Sequence, residues 1–240
     1  MSLTETENRD LLFAPPKFKC DTALKDVPEP LPQNVSFNMV LVGKPGSGKS
    51  SLATNIITNP LRKKYHSIFI VIPKNSMNSY ACNPFQSIDE EQIFHDLTID
   101  TLLEIYGRVS ANAEEGLNSL LYIDDQAANL KKSNIQQTFK ELLYNRRHLR
   151  LGIINSVQRL TTIPKSIRAV TQLLIIFKPC NKAEGNILFD EMINLEKKEF
   201  IKLMNYTFKK KHDHMLIVLH EDRYYRNFNK IEGLDLEIKY

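Results

Sequence analysis

Eight consecutive residues, Gly43-Lys44-Pro45-Gly46-Ser47-Gly48-Lys49-Ser50, satisfy the pattern G-x-x-x-x-G-K-[ST]. Glycines at these spacings let a backbone curl until successive N–H groups face one anion, and a helix starting where the loop ends adds the positive end of its dipole. A chain of phosphates suits that geometry. Lys49 would neutralise the β- and γ-phosphates, the Ser50 hydroxyl would ligate Mg²⁺, and Ser51 belongs to the same cradle. The bland alternative is a glycine-rich turn that holds nothing. A β-rich run before the loop and a helical segment after it argue for a site.

Two further stretches supply the groups such a site needs. SLLYIDD places four apolar residues, Leu120 to Ile123, ahead of Asp124 and Asp125. A carboxylate at the end of a buried strand can hold the shell of Mg²⁺, the role expected of Asp124, while Asp125 is placed to orient or deprotonate an attacking water. Adjacent carboxylates repel each other unless a cation or donors sit nearby. LGIINSVQR then puts Gln158 at the carboxyl end of another apolar strand, the end that faces the ligand crevice in open α/β sheets. An amide there could report the γ-phosphate by hydrogen bonding. A solvated strand-end aspartate and a plain strand-to-loop glutamine fit the same patterns.

These groups must be carried by a sheet. From Phe37 onward short apolar runs alternate with longer helical segments, the pattern of a mostly parallel sheet covered by helices on both faces. The expected strands are residues 37–43, 67–73, 119–125, 151–157 and 172–178. Helical spacing is expected over 50–58 and 99–115, and a third helix over 133–147, where Ser133 and Gln136 have capping-box spacing. The segments HMLIVLH and YYRNFN predict an antiparallel hairpin added at a sheet edge. Residues 1–34, with Pro15, Pro16, Pro28, Pro30 and Pro32, read as an extended arm, and 35–240 as one nucleotide-binding domain.

Composition narrows the class. The 240 residues are 42% hydrophobic and 25% charged, which fits one ordinary globular core and excludes disorder throughout. No apolar run is long enough for a membrane span and the N-terminus is polar, so a cytoplasmic protein is expected. Cys20, Cys82 and Cys180 are too few and too scattered for a disulfide framework or a metal knuckle. The net charge of +4 does not by itself imply nucleic acid. Positive charge is nevertheless clustered at residues 62–66, 145–150 and 208–214, which permits a polyanion partner.

Residues 181–184, NKAE, imitate the N-K-x-D motif that reads guanine in GTPases. The acid is one methylene too long, and Asp124-Asp125-Gln126-Ala127 stands where a GTPase would carry D-x-x-G. A nucleotide kinase and a nucleotide-binding assembly switch without DNA are stronger competitors. The second carboxylate favours water activation over transfer to an acceptor.

Taken in order, the blocks LVGKPGSGKSS, LLYIDDQ, NRRHLRLGIINSVQ and IPKSIRAVTQLLIIF resemble those of the DNA-packaging ATPases of large eukaryotic DNA viruses and virophages, a branch of the FtsK/HerA superfamily. The resemblance runs from about Phe37 to Phe228. It implies a P-loop NTPase fold of the RecA-like (ASCE) type: a three-layer α/β sandwich with a mostly parallel central sheet and a C-terminal antiparallel hairpin at one edge. It implies an ATP- and Mg²⁺-dependent motor that moves double-stranded DNA without regard to sequence into a capsid. The motor would be a homo-oligomeric ring of about five or six subunits, with a capsid or portal component as partner. The expected location is host cytoplasm or the viral assembly site.

Carried over by position, Gln158 matches the sensor glutamine of that branch, and Arg147 its arginine finger, with Arg146 the neighbour that could substitute. Arg168 matches a recurrent position of that branch, although Val170 stands where the branch often has asparagine. Read without the resemblance, Arg146 and Arg147 are a cationic helix end favoured by the dipole. Asp125 replaces the glutamate common in the wider superfamily. Lys209, Lys210, Lys211 and His212, and also Lys131 and Lys132, are candidates for contact with DNA phosphates.

Overall fold

Successive side chains of a strand point to opposite faces, so a strand without polar residues must be covered on both sides. The computed structural model, which describes residues 22–234, meets that demand with one nine-stranded sheet. Its strands are β1 (Asn38–Val42), β2 (Ser67–Val71), β3 (Ile93–Phe94), β4 (Ser119–Asp124), β5 (Leu151–Val157), β6 (Leu173–Phe177), β7 (His214–Val218), β8 (Arg223–Arg226) and β9 (Asn229–Lys230). Their order across the sheet is β3-β2-β4-β5-β1-β6-β7-β8-β9. Pairing is parallel from β3 to β6 and antiparallel from β6 to β9.

Alternation along the strands feeds two separate cores. Val40, Val42, Leu121, Ile123, Leu151, Ile153, Leu174 and Ile176 face one side. Met39, Leu41, Leu120, Tyr122, Ile154, Leu173 and Ile175 face the other. The first side is covered by α3 (Ile99–Glu114) through Leu102, Ile105 and Val109, and by α4 (Ser133–Asn145) through Ile135, Phe139, Leu142 and Leu143. The second is covered by α1 (Lys49–Thr58), from which Ala53, Ile56 and Ile57 point inward. Each fully buried aliphatic side chain contributes on the order of 1.5–3 kcal/mol, so the two cores together anchor the strand ends against local drift.

The expected strands, the three helices and the C-terminal hairpin are all present, and a few details differ. At the start of α4, Ser133 is already helical and Lys132 is the cap residue, with no side-chain cap; the capping box expected of Ser133 and Gln136 does not form. The short β3 and β9 are additions. The turn between β8 and β9 is made by Asn227 and Phe228, both with positive φ, +48° and +68°, the primed-turn geometry that suits a tight hairpin. Of the expected N-terminal arm, residues 1–21 lie outside the described residues, as do 235–240 of the domain. Residues 22–34 are not extended: Ala23 bridges Asn34, and Leu24, Val27 and Leu31 are buried in the second core. Among the described residues no helix is long and apolar enough to cross a membrane, and Cys82 and Cys180 are free thiols.

Candidate active site

Because β5 lies between β1 and β4, whatever leaves the carboxyl ends of these three strands meets in one crevice. The junction is tied by backbone bonds: Gly43 N–H donates to the Val157 carbonyl at 3.1 Å and Asp125 N–H to the Ser156 carbonyl at 2.9 Å. The crevice opens into a cavity of about 420 Å³ lined by residues 44–51 with Ser76, Asp124, Asp125, Gln158 and His212.

The loop's glycines answer to space and backbone. A Cβ on Gly43 would fall 2.5 Å from Ser47 Oγ and 2.9 Å from a Phe177 ring carbon. Gly46 and Gly48 hold φ of +73° and +96°, which side-chain-bearing residues adopt at a cost. Past Gly48 the chain enters α1 at Lys49, so the first-turn N–H groups of the helix face the same cavity.

Lys49 is only 7% exposed. Burial pushes its ammonium pKa down, while the nearby charges of Asp124 and then Asp125 pull it back up. Asp124 is 2% exposed and its Oδ1 has no hydrogen-bond partner within the protein. A buried carboxylate oxygen left without a donor is costly, and it calls for a cation or ordered water. Asp125 sits in the left-handed region at φ +52°. That turn points its carboxylate at Gln158, whose Nε2 donates to Asp125 Oδ2 at 2.6 Å. The repulsion between the paired acids is thus relieved by one lysine and one amide, and Asp125 Oδ1 is not the oxygen that Gln158 engages.

The structure gathers the loop, Asp124, Asp125 and Gln158 as expected by position. It does not bring in the arginines. Arg146 and Arg147 follow α4 and precede β5, so they stand at the opposite end of a seven-residue strand from Gln158, a distance of about 20 Å at 3.3 Å per residue. Arg146 Nη1 donates to the Leu143 carbonyl at 2.8 Å, and burial first and Arg147 second lower its pKa. Arg147 is exposed.

Arg168 also lies outside this crevice. It ends the short helix α5 (Lys165–Arg168), is 9% exposed and forks onto Glu191 at 2.8–3.0 Å. Its Nη1 also donates to the Ile163 carbonyl, and the cavity it lines is a different one. Within the chain it is a structural clamp.

Two residues of the cavity were not found from sequence. Ser76, on the four-residue helix α2 (Lys74–Met77) after β2, has no motif around it. His212, expected with Lys209, Lys210 and Lys211 as a candidate contact to DNA phosphates, turns its ring to the loop, with Nδ1 2.8 Å from the Ser47 carbonyl oxygen. The guanine-motif look-alike has a plain explanation. Asn181 caps α6 (Lys182–Ile187) by accepting from Glu184 N–H at 3.0 Å, and Glu184 accepts from Cys180 N–H at 2.8 Å, a reciprocal arrangement akin to a capping box.

A family model described as Poxvirus A32 protein matches residues 31–233. No curated protein sequence matches the chain. Among solved structures, the genome packaging NTPase B204 from Sulfolobus turreted icosahedral virus 2 in complex with AMPPCP is similar with a TM-score of 0.65 and 18% identity, over 83% of this chain and 100% of that one. Its ATP-gammaS complex gives 0.64 and 20%, over 81% and 98%. The cytoplasmic domain of the Type VII secretion ATPase EccC from Thermomonospora curvata gives 0.52 and 15%, over 83% of this chain and 24% of that one. These likenesses establish a shared P-loop ATPase fold.

Proposed function

Because the chain belongs to the poxvirus A32 protein family, we propose that it is the ATP-hydrolysing subunit of a motor that packages double-stranded viral DNA. One observation carries the reading: a phosphate loop and the Asp125–Gln158 pair face each other across one crevice, the pair closed at 2.6 Å. The similar B204 structures are of a genome packaging NTPase.

In this reading the loop N–H groups and Lys49 hold the β- and γ-phosphates of ATP and cancel charge as it shifts during cleavage. Gln158 fixes the Asp125 carboxylate through Oδ2, and Asp125 Oδ1 takes the proton of the attacking water. The residues fit Mg²⁺: Asp124 presents the unpartnered Oδ1, Ser50 stands in the first turn of α1, and both are hard oxygen donors. Asp124 and Ser50 would hold the ion, and it would supply positive charge to offset that of the phosphates. The ATPase domain, into whose core residues 22–34 pack, would work in host cytoplasm or at the site of viral assembly beside a capsid or portal component.

Arg147 is too far from its own chain's site to act there, so an arginine finger at this position would serve the neighbouring subunit of a ring. That arrangement is testable by mixing. Arg147→Ala subunits should bind ATP and hydrolyse it poorly. Adding hydrolysis-dead Asp125→Asn subunits, whose arginines are intact, should restore a fraction of phosphate release. If no mixing ratio gains activity, action of Arg147 across a subunit interface is wrong.

A further inference from the structure

The loop from Phe208 to Asp213, between α7 (Lys197–Thr207) and β7, exposes three lysines and turns one imidazole to the phosphate loop. His212 Nδ1 lies 2.8 Å from the carbonyl oxygen of Ser47. A carbonyl only accepts, so Nδ1 carries the proton of this bond. The peptide joining Ser47 to Gly48 is planar and trans, which makes its C=O and N–H point in opposite directions. Holding the oxygen on the His212 side of the loop therefore aims the Gly48 N–H to the opposite side.

We propose that His212 is a positioning residue of the phosphate site: its Nδ1–H fixes the Ser47–Gly48 peptide so that the Gly48 N–H is presented to the β-phosphate of a bound nucleotide. This rests on reading the cavity as a nucleotide site. The same hydrogen bond polarises the peptide and makes its N–H a better donor.

Three features suit this role. First, the ring packs closely on the loop at Gly48, where a Cβ would lie a tight 3.2 Å from Nδ1. Second, His212 itself is held at φ +71°, a conformation that persists only where surroundings over-determine it. Third, the surroundings do so through the next residue. Asp213 Oδ2 accepts from Lys209 N–H at 3.0 Å, Lys210 N–H at 2.7 Å and Arg226 Nη2 at 2.9 Å, and its Oδ1 accepts from Asn227 Nδ2 at 2.8 Å. Those bonds, Asn227 foremost, hold the Asp213 carboxyl well below the usual carboxylate range. The ring is thereby braced on β8 and the turn that follows it, so the C-terminal hairpin shapes the phosphate cradle of α1.

The test is a set of substitutions at one position, read as equilibrium dissociation constants of Mg-ADP and Mg-ATPγS on the full chain. In His212→Asn the amide nitrogen takes the place of Nδ1, and asparagine tolerates the left-handed backbone. His212→Gly relieves the backbone and removes the donor. The expected result is that His212→Asn stays within about twofold of the wild type, while His212→Gly binds both nucleotides about fivefold more weakly, the worth of one ordinary hydrogen bond. Thermal midpoints of both variants should match or exceed the wild type, which separates positioning from loss of fold. His212→Gly binding like the wild type would overturn the proposal, and so would His212→Asn binding as weakly as His212→Gly. A wild-type chain that binds neither nucleotide would instead overturn the underlying reading of the cavity.

Discussion

Replacing Lys49 with alanine lowers ATP hydrolysis by at least about a thousandfold, equivalent to roughly 4 kcal/mol of transition-state stabilisation. Two losses combine. The first is the cation that would offset charge on the β- and γ-phosphates in a site where water is largely displaced. The second is internal: Lys49 is 7% exposed and sits near two adjacent carboxylates. Without it, Asp124 and Asp125 lose a compensating charge, and their mutual repulsion is left to disturb the geometry of the site. Phosphate release and nucleotide binding measured on the same preparation check this; a variant that hydrolyses ATP within tenfold of the wild type rules out the assigned role.

Asp125→Asn should slow turnover by about 10²–10⁴-fold, the usual contribution of a positioned proton acceptor, with nucleotide affinity changed by less than about threefold. The split follows from the geometry. Asparagine tolerates the left-handed backbone at φ +52°. Its carbonyl oxygen can still accept the Gln158 amide now donating to Oδ2 at 2.6 Å, so the loop and the Gln158 tether persist. What disappears is the second oxygen's ability to take a proton. Single-turnover phosphate release set against binding of ATPγS measures the two effects separately, and unchanged turnover would remove Asp125 from the chemistry.

Much of this site is readable in the sequence because its parts are local. The loop's glycines, Lys49 and Ser50 are contiguous, and Asp124, Asp125 and Gln158 each close an apolar run whose burial requires a central strand. The sheet's parallel strands are legible for the same reason: LLYI and LGII leave no polar side to expose to water. Features set by distant contacts are not legible. Arg168 carries the right residue type in the expected block, yet its environment is decided by Glu191, 23 residues later. His212 meets Ser47 across a separation of 165 residues, and nothing in FKKKHDH marks it as the side chain that reaches the phosphate loop. The NKAE look-alike shows the converse. A helix cap and a guanine reader use similar residues at similar spacing, and only the bonds of Asn181 and Glu184 tell them apart. Local pattern also failed at α4, where Ser133 falls one residue inside the helix and cannot cap it.

If hydrolysis at this site drives a packaging motor, it must be coupled to duplex DNA within an assembly of subunits. The most direct measurement is phosphate release with and without double-stranded DNA of unrelated sequences, at low and high salt, together with the mass of the ATP-bound assembly. The expected result is a multimer in the presence of ATP, stimulation by duplex of any sequence, and loss of that stimulation as salt rises, because contacts to phosphates release counterions. A monomer in ATP whose hydrolysis is indifferent to duplex DNA at every salt concentration would contradict it and leave a nucleotide-binding switch in its place.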